Sequence, residues 1–260
     1  MSASWPELGR TYLRERYPVA LFLPLAVTVA ACGITLTPSA GPTVMVLMAA
    51  AAWLLLLTLR LLDDLADREV DRETAPDRIT VRVWDSRPWL AMAALSLGGA
   101  GVLLTAVHGI AGALPAVATM LALALWYAAR RWVPGHRRFN ALVVMAKYPL
   151  VAMAVAGTVP TAPAPLAVFA TLYGCALTFE FTHDPFTAPT RSYAWPLACA
   201  AITLTAMAFA TKPTVWLLGA VVACALGFAA SLTTWPAALP KRLAALAWVP
   251  ALVVVTARIL

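Results

Sequence analysis

Charge is what this 260-residue sequence has least of. Asp, Glu, Lys and Arg make up 12% of it, against 62% hydrophobic residues and a mean hydropathy of +0.81. A soluble domain carries about a quarter of its residues charged, so this composition argues against one and describes a polytopic membrane protein. Acids are scarcest: after Asp85 only Glu180 and Asp184 remain. The four cysteines, Cys32, Cys175, Cys199 and Cys224, are dispersed with no Cys-x-x-Cys spacing. That argues against a disulfide framework or a zinc site and leaves them as small apolar packing residues. The N-terminus shows no small-residue cleavage site, so no signal peptide is read. With no polar linker, low-complexity tail or composition shift, residues 1–260 read as one domain.

Apolar runs fill the chain instead. Nine reach the length of about 20 residues needed to cross a bilayer, at approximately 18–37, 43–63, 88–107, 110–129, 139–158, 164–182, 193–211, 213–233 and 241–259. We therefore expect an all-α protein of about nine transmembrane helices, preceded over residues 1–17 by an amphipathic, Arg-bearing interfacial segment. Of 19 basic residues, 16 fall before the first span or in the connections after the even-numbered ones. Lys147 lies inside the fifth span, and Lys212 and Arg258 lie opposite. By the positive-inside rule the N-terminus and the basic connections are cytoplasmic and the C-terminus is outside. The net charge of +7 is then a topology signal and calls for no nucleic acid. The opposite connections, 37–42, 108–109 and 159–165, are short and almost uncharged.

The acids that do occur are concentrated. Residues 60–78, directly after the second span, hold seven of the twelve. On a helix advancing about 100° per residue, Asp64, Asp67 and Asp71 share one stripe with Arg60. Three stacked carboxylates at the water-facing end of a membrane helix suit a hard divalent cation, Mg²⁺ above all, and through it phosphate. The alternative is a solvated helix end whose acids are offset by Arg68, Arg72 and Arg78. Against it, stacked like charges cost a helix roughly 0.2–0.5 kcal/mol per pair unless something neutralises them.

The sixth span ends in a second acidic pair, Glu180 and Asp184, one turn apart on one face. A carboxylate inside a membrane helix is costly and is a functional candidate by default. The alternatives are snorkelling to the interface and local pairing of Asp184 with Arg191. His183, between them, reads as a solvated or hydrogen-bonding residue. Lys147 lies about two turns inside the fifth span and needs an anion, either a carboxylate cluster or a bound phosphate, unless its stem snorkels outward. Tyr148 can donate to the same region, and Pro149 should kink the helix. After the fourth span, Tyr127, Arg130 and Arg131 offer a hydroxyl and guanidinium forks suited to phosphate oxygens, while Arg137 and Arg138 suit lipid headgroups.

Nine spans, Asp63-Asp64-Leu-Ala-Asp67-Arg-Glu-Val-Asp71, the Tyr127 and Arg130-Arg131 group, and Glu180-Phe-Thr-His-Asp184 together resemble the UbiA superfamily of intramembrane prenyltransferases. Its first motif, Asn/Asp-Asp-x-x-Asp-x-x-x-Asp, is met in full. Its second, usually Asp-x-x-x-Asp, here begins with Glu180 and lacks the Gly-rich continuation. The resemblance implies helices around a central cavity open to the cytoplasm and the lipid. It implies Mg²⁺ held by Asp64, Asp67 and Asp71 on one wall and by Glu180 and Asp184 on the other, with Asp63 ranked below them. It implies an isoprenoid diphosphate whose phosphates meet Lys147, Arg130, Arg131, Tyr127 and Arg60. Departure of diphosphate leaves an allylic carbocation, captured by an aromatic or other lipophilic acceptor. The runner-up is a terpene cyclase, in which the isoprenoid's own double bond attacks. The protein would be integral to a membrane, in bacteria the cell membrane. A transporter is the reading from another class, but it would need ionisable groups at several depths, and Lys147 is the only deep one.

Overall fold

The computed structural model describes residues 4–37, 40–132, 136–183 and 248–259. Among the described residues the structure is helical and contains no strand. In order come α1 (Trp5–Glu15), α2 (Val19–Ile34), α3 (Pro42–Ala66), α4 (Arg68–Thr74), α5 (Ile79–Arg82) and α6 (Arg87–Ala129). A 3₁₀ turn (Arg130–Trp132) leads to α7 (His136–Met145), α8 (Lys147–Ala156), α9 (Pro163–His183) and α10 (Val249–Ile259). Two helices, α3 and α6, are long and apolar enough to cross a membrane, and a third span results if the bent pair α1–α2 counts as one. The expected spans at 193–211 and 213–233 lie outside the described residues.

Local chemistry accounts for the boundaries. The Glu7 carboxylate accepts hydrogen bonds from the Ser4 backbone N–H and hydroxyl, each 2.9 Å, and closes the first turn of α1. Pro18 disfavours helical geometry at Tyr17, and between α1 and α2 the chain bends by 76°. Pro42 opens α3 at a position where its missing N–H costs nothing.

At 43 residues α6 would be about 65 Å long if straight, twice the thickness of a bilayer core. It breaks at Gly109, whose φ of 72° and ψ of 179° only glycine adopts without strain. Both ends of α6 return to the same place. Trp89, near its start, packs 5.6 Å from the ring of Tyr12, which donates to Asp64, while Tyr127, near its end, donates to Asp63. Along a straight helix Trp89 and Tyr127 would lie about 57 Å apart. Thus α6 is a hairpin of two arms, with its joint at the connection expected around 108–109. At that far end His108 Nε2 hydrogen-bonds the Val155 carbonyl at 2.7 Å, tying the joint to α8.

The expected fifth span is divided into α7 and α8 at Ala146. Pro149 has no N–H to give the Met145 carbonyl, and its ring crowds that same carbonyl, so the kink falls just after Met145, about one turn before the proline. Lys147 therefore begins a helix rather than lying within one.

The middle of this bundle is α3, where Met48, Ala51, Ala52, Leu55, Leu59 and Leu61 are fully buried. Around it pack α2, α6 and α8. The α2–α8 crossing is close enough that a Cβ at Gly33 would stand 2.6 Å from the Ala152 carbonyl oxygen. Small residues permit such backbone approach in membrane helices. Outward, α6 exposes Leu95, Val102, Ile110, Leu114, Leu121 and Leu125, an apolar face that lipid satisfies and water would not.

Gly33→Val should therefore destabilise the fold by about 1–3 kcal/mol through overpacking, read as a lowered thermal midpoint in detergent. Gly98→Val, at a position where a Cβ meets nothing within 4 Å, should leave that midpoint unchanged.

Candidate functional site

The polar residues gather where α3 ends. Fifteen residues of near-continuous apolar sequence, 45–59, precede Arg60, so Asp63 and Asp64 arrive on a helix whose packing has already buried them. Buried carboxylates demand counter-charge, and each receives it from a different element.

Asp64, 2% exposed, is gripped from α1. Arg16 donates through Nε at 3.1 Å to one oxygen and through Nη2 at 2.5 Å to the other, a two-point fork. The Tyr12 hydroxyl donates at 2.9 Å, and Arg60 lies 3.3 Å away within α3 itself. Asp63 faces the other way, toward α8 and the second arm of α6. Lys147 Nζ donates to it at 2.5 Å and the Tyr127 hydroxyl donates to its other oxygen. Both members of the Asp63–Lys147 pair are buried.

Asp67 is the joint between α3 and α4, with φ −95° and ψ 0°, and its side chain is about half exposed. Arg130 Nη2 donates to it at 2.5 Å. Asn140 Oδ1 steadies that arginine, accepting from Arg130 Nη1 at 3.3 Å and from Trp126 Nε1 at 3.1 Å. Desolvation, opposed by Arg130 and reinforced by the neighbouring Asp63, raises the Asp67 carboxyl above its ordinary value. Asp71, on α4, pairs with Arg78 through one oxygen, and its other oxygen, Oδ2, is buried without a partner among the described residues.

The stripe expected along one helix is thus interrupted. Because α3 stops at Ala66 and the chain bends at Asp67, Asp64, Asp67 and Asp71 are each held by different cations: Arg16 and Arg60, Arg130, and Arg78. Among the described residues no three His, Cys, Asp or Glu side chains are grouped so as to hold a metal ion. The donors are the hard oxygens Mg²⁺ takes, yet the described carboxylates taken alone do not compose a magnesium site. Of the second acidic pair, Glu180 is half-buried near the end of α9 and close enough to Tyr148 for its charge to be felt there. Asp184 and the side chain of Arg131 lie outside the described residues. Beside Lys147, whose ammonium is 5.6 Å from the centre of the Tyr148 ring, that ring meets Trp248 edge-on at 5.1 Å, with Phe179 6.1 Å from Trp248.

The structure thus brings together Asp63, Tyr127 and Lys147, and beside them Asp67 with Arg130 and Asp64 with Arg60. It also adds residues that sequence reasoning passed over. Tyr12 on the inner face of α1, and Arg16 just past its end, follow Leu8 at four-residue steps, and a charge continuing that apolar stripe was the available sign of a partner. Asn140 carried no such sign, whereas Arg78, which the sequence offers as one of the residues offsetting the acids, does pair with Asp71. Comparison with protein-family models, with curated proteins and with solved structures gave no match.

Lys147→Met should cost about 3–5 kcal/mol, because it strands the Asp63 carboxylate. Adding Asp63→Asn should recover much of that loss in a double-mutant cycle followed by unfolding in mixed micelles. A double variant as unstable as the two single losses combined would show that the pair is not coupled.

Proposed function

We propose that this chain is an intramembrane prenyltransferase of UbiA type, which ionises an isoprenoid diphosphate and transfers the prenyl group to an aromatic or other lipophilic acceptor. The observation that carries the reading is the meeting of Asp63, Tyr127, Lys147 and the Asp67–Arg130 pair, brought from three distant parts of the chain to one end of an apolar bundle. Among the described residues, Arg16, Arg60, Arg78, Arg130 and Lys147 pair there with Asp63, Asp64, Asp67 and Asp71. The buried Nε of Arg60 has no partner among the described residues, which suits an entering anion.

In this reading Lys147, Arg130 and Arg60 receive the diphosphate, while Asp63, Asp64 and Asp67 hold those cations in position beforehand. The C1–O bond breaks with its electron pair leaving on the diphosphate, where fixed cations stabilise the growing charge. The allylic cation is captured by the acceptor, which then loses a proton. Apolar helix walls keep water from competing. The reading carries a Mg²⁺ requirement, for charge neutralisation of the diphosphate, that Glu180 and Asp184 would have to help meet. It also carries nine spans, with a cytoplasmic N-terminus and an outward C-terminus.

One observation favours cyclisation as the second reading: Tyr148, Trp248 and Phe179 place aromatic faces next to Lys147, where they could stabilise a cation travelling along the isoprenoid itself. Transport is disfavoured, because every ion pair among the described residues lies at one end of the bundle.

The test is turnover of geranyl, farnesyl and geranylgeranyl diphosphate by the purified chain with Mg²⁺, with and without lipophilic aromatic acceptors. The expected outcome is acceptor-dependent, EDTA-sensitive diphosphate release, reduced about 10²-fold in kcat/KM by Arg130→Gln. An EDTA-sensitive cyclic hydrocarbon formed without acceptor would favour the cyclase. No release from any of the three diphosphates would sink both readings.

A further inference from the structure

The connection between α3 and α6 holds a second concentration of unmet polar chemistry, apart from the Asp63–Lys147 cluster. Six buried side-chain nitrogen or oxygen atoms among the described residues lack a hydrogen-bond partner, and four of them fall in α4 and α5: Arg68 Nε, Arg68 Nη2, Asp71 Oδ2 and Thr80 Oγ1. Among the described residues the deficit is therefore concentrated in this segment.

Arg68 is its centre. It is the first residue of α4, directly after the bend at Asp67, and only 7% exposed. Nη1 donates to the Trp84 carbonyl at 2.7 Å, and the guanidinium carbon stands 5.1 Å from the centre of the Trp84 ring. That leaves Nε and Nη2, which together form the edge that takes an oxyanion side-on through two parallel N–H···O bonds. Burying a charged donor edge without an acceptor costs far more than burying a neutral one. Neither nearby acid closes it. Asp85 makes no ion pair with Arg68, although its charge is felt there, and its Oδ1 accepts from the Arg87 backbone N–H at 3.0 Å at the start of α6. Glu69 pairs with Arg72 at 3.3 Å.

Arg72, one turn along α4, approaches the same indole, 5.8 Å from its centre. Its side chain is largely exposed, as is much of Trp84. One aromatic plate thus organises two guanidinium groups, one buried with an unpaired bidentate edge and one reaching into solvent.

We propose that Arg68, Arg72 and Trp84 form a binding site for a single phosphate-class oxyanion, Arg68 supplying the bidentate edge and Arg72 the outer charge. Neither the proposed prenyl transfer nor its substrate enters this inference. The site lies between the end of α3 and the start of α6, the level of lipid headgroups in a bilayer crossed by those helices, and a half-exposed tryptophan suits that level. Phosphate chemistry at this depth has two sources, the phosphodiester of an anionic lipid and free phosphate from the aqueous side.

Native mass spectrometry of the delipidated full chain in mild detergent separates them. The probes are phosphatidylglycerol, a phosphate-free galactolipid of equal chain length, and inorganic phosphate. The expected result is one retained phosphatidylglycerol, no retained galactolipid, and occupancy lowered about tenfold by Arg68→Gln, as loss of a charged hydrogen-bonding edge implies. Arg72→Gln, on an exposed side chain that the fold does not need, should lower it several-fold, and Arg14→Gln should not change it. If inorganic phosphate alone gives the Arg68-dependent adduct and the lipid does not, the ligand is the free ion and the site stands. Retention unchanged in Arg68→Gln and Arg72→Gln, or no adduct with either phosphate probe, overturns the proposal. Should Arg68→Gln fail to fold, Arg68→Lys keeps the charge but loses the bidentate edge, and together with Arg72→Gln it gives the same decision.

Discussion

An ammonium and a carboxylate 2.5 Å apart, both buried, set the terms on which this bundle assembles. Neither Asp63 nor Lys147 can be taken out of water alone, since an uncompensated buried charge costs several kcal/mol. Their meeting therefore sets the height of α8 against α3. The hydroxyl of Tyr127 on the remaining Asp63 oxygen sets the height of the second arm of α6. Arg16 and Tyr12 on Asp64 do the same for α1. Four elements are brought into register by two adjacent residues at the end of one helix.

The apolar part of the structure supplies what such a cluster cannot, which is closeness without direction. Contacts along α3 are non-directional and would tolerate sliding. Specific steric events limit that freedom. Gly33 lets α2 approach the backbone of α8, Gly109 reverses α6, and Pro149 ends α7 so that Lys147 starts a fresh helix. These bring the polar ends together at one level, and the ion pairs then hold them there.

Much of this was readable from the chain. Helix positions followed from apolar run lengths, the hairpin joint from His108–Gly109, and the broken fifth span from Pro149, because each depends on sequence-local physics. The gathering of Tyr127, Lys147 and the acids was legible in outline, since deep charges in an apolar chain have few partners to choose from. Which carboxylate meets which cation was not legible. Along a continuous helix Asp63 falls about 100° off the stripe of Asp64, Asp67 and Asp71, but partners in the fold come from opposite sides, so both faces of α3 are used. The stop at Ala66 was equally hidden, since Asp67 and Arg68 carry no helix-breaking signature and the bend there comes with Arg68 anchoring to the distant Trp84 carbonyl. Arg16 was visible only as a charge continuing an apolar inner face.

The separation in sequence between Asp63 and its ammonium also has a meaning in time. Lys147 lies 84 residues downstream, so at about 5–20 residues per second a ribosome needs roughly 4–17 s to deliver it after Asp63 has been made. Arg16 and Tyr12 are translated before Asp64, which is born with its partners waiting. Asp63 is not, and its carboxylate must remain hydrated through that interval. The last turn of α3 therefore settles to its final depth only when α8 arrives, and biogenesis of this end of the bundle is completed in the order in which its cations leave the ribosome.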